Sequence, residues 1–146
     1  MYAAKSHGGD AHATYEARLY EATVARMESK ADLQGALQRG ELRVAYQPIV
    51  DMETGRITGA EALMRWDHPE KGAIAPSDFI PLAEENGLIV ELGHWILETA
   101  CRQTRVWQEQ TGRPDLTISV NLSGRQIADA DLVSDVSRAL ASSGLD

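Results

Sequence analysis

The hydrophobic period of the chain changes after Gly40, and that change restricts the fold more than any other feature of the sequence. Residues 11–39 carry apolar side chains at Tyr15, Leu19, Met27, Leu33 and Leu37 in an Ala-, Glu-, Arg- and Lys-rich background. This pattern predicts helix, as one piece or as two broken near 29–32 with Asp32 as a cap, and Gly40 as the stop. From Leu42 the pattern turns β-like. Strands are predicted over 42–51 and 57–66, joined by a turn at 52–56 and followed by a Pro/Gly-rich loop over 67–76. A short helix capped by Ser77 or Asp78 then carries Phe79, Ile80, Leu82 and Ala83, with Pro81 placed near its first turn and Asn86–Gly87 as its end. The longest helix spans 91–110, with Leu92, Trp95, Ile96, Thr99, Ala100, Gln103, Val106 and Trp107 on one face. A third strand covers 116–122. A last helix, opened by Asp129 or Asp131, carries Leu132, Val133, Val136 and Leu140 and stops at Gly144. The order β–β–α–α–β–α is that of an α/β protein.

The third strand adds a second constraint. Ile118, Val120 and Leu122 point one way; Thr117, Ser119, Asn121 and Ser123 point the other. In a parallel barrel the outer face packs on helices and the inner face is normally apolar. A polar inner face at the C-terminal end of a strand is where such a barrel puts its site.

Charge and composition narrow the partners. The formal charge is −8 and no Lys/Arg cluster stands out, which argues against a nucleic acid polymer. No apolar run approaches the roughly 18 residues that span a bilayer, and MYAAKSHGGD has no apolar stretch behind its lysine. Cys101 is the single cysteine, so no disulfide framework exists and a reducing cytosol fits.

Glu61, Leu63 and Arg65 share one face of the second strand. A carboxylate is a hard ligand for a divalent cation, and a guanidinium grips two phosphate oxygens at once. Asn121 adds an amide oxygen and Gln47 a neutral donor and acceptor. By spacing alone, such a Glu and Arg are an ordinary surface ion pair, and such an Asn an ordinary turn residue.

The motifs carry more than the spacing. Tyr46-Gln47-Pro48-Ile49-Val50-Asp51 is followed by Gly59-Ala60-Glu61-Ala62-Leu63-Met64-Arg65-Trp66 with His68-Pro69. Then come Phe79-Ile80-Pro81-Leu82-Ala83-Glu84 with Gly87-Leu88-Ile89, and Ser119-Val120-Asn121-Leu122-Ser123. In this order, residues 32–146 closely resemble the N-terminal part of an EAL domain, the bacterial cyclic-di-GMP phosphodiesterase family. Met64 stands where Leu is commoner.

This resemblance implies part of a TIM-like (β/α)8 barrel with an extra antiparallel first strand, preceded here by an N-terminal helix. It implies a cytoplasmic bacterial enzyme that hydrolyses cyclic-di-GMP to linear pGpG with Mg²⁺ or Mn²⁺. Glu61 and Asn121 then correspond to metal ligands, and Gln47, Leu63 and Arg65 to dinucleotide contacts. The family's later carboxylates and lysine are expected beyond residue 146, and Asp129, Asp131 and Asp135 read as helix-cap and surface acids. Two of the expected metal ligands do not hold a metal pair, so the chain alone is expected to be inactive or nearly so. Exposed strand edges would favour self-association. The alternative is a non-catalytic module that binds cyclic-di-GMP or a protein. Met1-Tyr2-Ala3-Ala4-Lys5-Ser6 is similar to the C-terminal tail of a GGDEF domain, which assigns residues 1–31 to a tail and linker helix; Gly8-Gly9-Asp10 is not the cyclase signature.

The remaining conspicuous side chains have plainer readings. His7 and His12 lie in a tail, His68 packs a loop, and His94 lies off the apolar stripe. Trp95 and Trp107 match helix packing, Trp66 ends the site strand, and Cys101 is a small buried hydrophobe.

Overall fold

Alternation along the second strand sets the architecture. In the computed structural model, which describes residues 31–145, β1 (Leu42–Val50) and β2 (Ile57–His68) pair antiparallel from Leu42↔Trp66 to Val50↔Ile57. Ala62, Met64 and Trp66 turn one way and are buried; Glu61, Leu63 and Arg65 turn the other and are half-buried. β4 (Thr117–Val120) joins β2 in parallel, with Gly59↔Thr117, Glu61↔Ser119 and Ala62↔Val120. The approach is close: a Cβ on Gly59 would lie 2.5 Å from the Thr117 carbonyl oxygen, so only glycine fits there.

The helices cover the face of Ala62, Met64 and Trp66. Residues 31–36 form α1, and α2 (Pro76–Asn86) and α3 (Leu88–Thr111) follow the sheet. Leu33, Ala36, Phe79, Leu82, Ile89, Leu92, Ile96 and Ala100 close over the sheet as one core. Trp66 is its centre at 1% exposure, set edge-on to Phe79 with ring centroids 5.8 Å apart. Its indole N–H donates to Glu41 Oε2 at 3.1 Å, so burial leaves no unmet donor. Trp66 is therefore a core residue. Trp107 meets the Tyr46 ring edge-on at 4.8 Å, as helix packing predicts. Cys101 is buried at 2% exposure, and burial pushes its thiol pKa up, which makes it a poor nucleophile.

Several boundaries differ from the sequence expectation. The loop placed at 67–76 contains the end of β2 and a further strand, β3 (Gly72–Ile74), paired with Trp66–His68. Its turn is organised by His68, whose Nδ1 accepts the Glu70 and Lys71 amides at 3.1 and 3.2 Å while Nε2 faces Asp32 Oδ2 at 3.2 Å. α2 begins at Pro76 after Ala75 with no side-chain cap; Ser77 and Asp78 lie inside its first turn. Pro81 stands within the helix, not near its start, with its ring in solvent. α3 is longer than 91–110 and starts at Leu88, immediately after Gly87. Its buried stripe continues through Cys101 and Thr104, while Val106 is 38% exposed.

The third strand ends at Val120, short of 122. Ser123 then caps an unforeseen single turn, α4 (Gly124–Ile127). α5 (Leu132–Ser143) follows Asp131 and stops at Gly144 as expected, but Val133 is 77% exposed. Asp135 is not a surface acid. It is 6% exposed, with His94 of α3 against its Oδ2 and Arg138, one turn on, against its Oδ1. The expectations for a helix over 11–30, for the tail at 1–6 and for His7 and His12 lie outside the described residues.

Candidate functional site

The pairing register assembles the candidate site. β1 and β4 flank β2, and the register aligns Gln47, Glu61 and Ser119 in one row across three strands. The next rows on that face are Ala45 with Leu63, and Arg43 with Arg65. All lie opposite the helix-covered core, so the face is open. Gln47 and Ser119 are exposed, and Glu61, Leu63 and Arg65 are half-buried.

Asn121 follows the last residue of β4 and closes on this row from above. Its side-chain amide donates to Glu61 Oε1 at 2.6 Å, although the residues are sixty apart in sequence. This short bond to a carboxylate is of the charge-assisted kind. Arg65 Nη1 donates to the Met64 carbonyl at 2.9 Å. The cross-strand neighbour of Arg65, Arg43, is turned toward Asp67, with Nε 2.6 Å from Oδ2. Among the described residues neither Glu61 nor Arg65 makes an ion pair, so both charges remain available to a ligand.

The structure thus brings together Gln47, Glu61, Leu63, Arg65 and Asn121, the five residues singled out in the sequence. Ser119, which alternation put on the polar face of the third strand, stands in the central row. Ser123 and Gln126 form a reciprocal capping box directly after Asn121, and the Ser-x-x-Gln spacing is the signal that marks one.

The edge of β2 beside the site is not fully paired. β4 takes it as far as Ala62 and β3 resumes at Trp66, which leaves Leu63, Met64 and Arg65 unpaired on that side. A cavity of about 320 Å³ opens there. Leu63, Arg65, Asn121 and Ser123 stand at it, and Ile80 and Ile96 form part of its apolar lining. The lining also takes in Ala62 and Met64 from the core side of the sheet, and Gln47 and Glu61 do not reach it, so the cavity is an apolar gap at the strand edge beside the open face.

Glu61 and Asn121 contribute two oxygen donors of the kind that hard divalent cations take. Among the described residues, no group of three or more His, Cys, Asp and Glu side chains converges on a point. The donor set therefore fits one side of a metal site.

Comparison with known proteins decides the family. The EAL domain model matches residues 30–146. The chain belongs to the EAL domain family. The EAL chain is 44% identical over 140 residues to the bifunctional diguanylate cyclase/cyclic di-GMP phosphodiesterase MucR of Pseudomonas aeruginosa, covering 96% of this chain and 20% of MucR. It is similarly 44% identical over 110 residues to the uncharacterized protein Rv1357c of Mycobacterium tuberculosis, covering 75% of this chain and 36% of that protein. Among solved structures, the MucR phosphodiesterase in complex with c-di-GMP superposes with a TM-score of 0.77 at 47% identity, over 81% of this chain and 47% of that one. The EAL enzyme Bd1971 in its cGMP-bound form gives a TM-score of 0.80 at 30% identity, over 88% and 36%. The chain thus spans a fifth of MucR and under half of either solved chain. Among the described residues no helix is long and apolar enough to cross a membrane.

Proposed function

We propose that this chain forms one wall of a cyclic-di-GMP phosphodiesterase site, within the front part of a TIM-like barrel at residues 32–146 and after a tail and linker at 1–31. The observation that carries the reading is the 2.6 Å bond joining Asn121 to Glu61 on an open sheet face that also presents Gln47, Leu63 and Arg65. The c-di-GMP complex of the similar MucR phosphodiesterase supports the choice of ligand.

In this reading each side chain has one task. Arg65 holds a phosphate through two N–H donors. Gln47 hydrogen-bonds the dinucleotide from the central row, and Leu63 supplies apolar contact to a base. Glu61 and Asn121 are the residues that would hold Mg²⁺ or Mn²⁺. Such an ion, when bound, polarises a phosphate oxygen and lowers the pKa of a water. Hydrolysis of one phosphodiester bond would open the ring to linear pGpG. Among the described residues two oxygen donors leave a two-metal centre incomplete, so the expected behaviour is binding of the dinucleotide with little or no turnover.

That shortfall of ligands also favours a second reading, a module that binds cyclic-di-GMP without hydrolysing it. Calorimetric titration with cyclic-di-GMP, with and without Mg²⁺, and with turnover followed on the same sample, tests both. The phosphodiesterase reading expects binding that Mg²⁺ strengthens and that Glu61→Ala makes insensitive to Mg²⁺. Arg65→Ala should weaken it by roughly tenfold or more, the usual scale for a charged hydrogen bond. Binding indifferent to Mg²⁺ would support the second reading, and no binding would refute the ligand assignment.

A further inference from the structure

Asn121 reaches Glu61 from a two-residue bridge. On one side, Val120 is the last residue in the β2–β4 ladder, paired with Ala62. On the other, Ser123 is the N-cap of α4, and only Asn121 and Leu122 lie between. Leu122 is 38% exposed and is not part of the buried core. The position of the Asn121 amide therefore depends on how α4 is held.

Gln126 holds it. The Gln126 backbone N–H donates to Ser123 Oγ at 3.3 Å, and Gln126 Oε1 accepts the Ser123 amide at 3.0 Å. A four-residue helix has no length to stabilise itself, so this reciprocal pair carries it. Gln126 is 5% exposed, in contrast to its neighbours Arg125 and Ile127. Its amide group rests on the bare backbone of Gly93 in α3: a Cβ there would lie 1.8 Å from Nε2 and 2.8 Å from Cδ. A second, exposed tether runs from Arg125 Nη1 to the Glu84 carbonyl.

We infer that Gln126, seated on Gly93, is the positioning residue that presents the Asn121 amide to Glu61. The inference rests on the roles given above to Asn121 and Glu61. It makes the α3–α4 contact part of the site; because Gly93 and Gln126 also line the cavity beside Arg65, a signal read without ligand is what separates positioning from direct contact.

The test uses the whole chain and a signal independent of ligand. The sequence holds two asparagines, Asn86 and Asn121, so asparagine labelled with nitrogen-15 yields two side-chain amide pairs, assigned by the loss of one in Asn121→Asp. In Gln126→Ala the Asn121 pair should move to the averaged, fast-exchanging position of a free amide, with the Asn86 pair unchanged. Gln126→Glu, which keeps an acceptor for the Ser123 amide, should restore it, and Ile127→Ala on the same turn should have no effect. Cyclic-di-GMP affinity in the presence of Mg²⁺ should fall about tenfold in Gln126→Ala, the scale of one lost helix cap. If Gln126→Ala does not fold, Gln126→Met, which keeps the side-chain bulk and lacks the Oε1 acceptor for the Ser123 amide, provides the same comparison. An unmoved Asn121 signal in the alanine variant, or no recovery in Gln126→Glu, overturns the inference. If the wild-type chain binds no cyclic-di-GMP, the ligand assignment fails while the amide signal still decides the role of Gln126.

Discussion

Trp66 shows how a single side chain can look like part of the site and serve the core instead. It follows Arg65 on the strand, yet the pleat turns it to the opposite face, where it packs on Phe79 and donates to Glu41. The two contributions separate by mutation. Trp66→Phe keeps most of the ring packing and loses one hydrogen bond, at an expected cost of about 1 kcal/mol in urea unfolding. Trp66→Ala empties the centre of the core and should cost roughly 3–5 kcal/mol. In the phenylalanine variant, cyclic-di-GMP binding should persist. A binding defect as large as that of Arg65→Ala, in a folded Phe variant, would place Trp66 at the ligand.

At the scale of elements, the attachment of α1 to the β2–β3 turn is electrostatic and therefore sensitive to acid. Lys71 Nζ lies 2.8 Å from Asp32 Oδ2, and this bond, aided by His68, holds the Asp32 pKa below its ordinary value of 3.8. Glu41, bonded to Arg39 and then to the Trp66 indole, is likewise held below 4.5. A carboxyl whose pKa is lowered by folding stabilises the folded state fully above its unfolded pKa. The contribution disappears as pH falls through the folded pKa. The urea-midpoint gap between wild type and Asp32→Asn should thus be present at neutral pH and close below about pH 4. A gap unchanged at pH 3 would show that the contact acts through packing alone.

The same elements show what a sequence conveys and what it withholds. The two faces of β2 were legible because Ala62, Met64 and Trp66 alternate with Glu61, Leu63 and Arg65; the register sets Gln47 on the same face as Glu61, and one bond ties Asn121 to Glu61. β3 was not legible, because its turn depends on an imidazole capturing two amides, which no local pattern encodes. α4 is too short to display a helical period, although its capping residues were in view. Asp135 resembled any helix acid; its burial depends on His94 arriving from α3, a contact between residues forty-one apart in sequence.

For the whole molecule, the described sheet has edges that no strand covers. β1 pairs only with β2, and β4 pairs only with β2. Unpaired edges of this kind recruit other strands. Sedimentation velocity across a hundredfold range of concentration should therefore show a rising average mass. A single monomeric boundary throughout would exclude self-association.

The alignment of Gln47, Glu61 and Ser119 by strand register has a wider consequence. A ladder moves only in whole residues, and a slip of one residue turns every side chain to the other face. Four of the five candidate side chains are thus placed as if on a ruled grid, with no fractional settings between one ligand spacing and the next. Asn121 alone stands off the grid, and its position can vary smoothly with the seat beneath α4. Descent with altered preference for ligand or ion, in chains that keep this sheet, would then be written first in the few residues around that seat, while the strands stayed as they are.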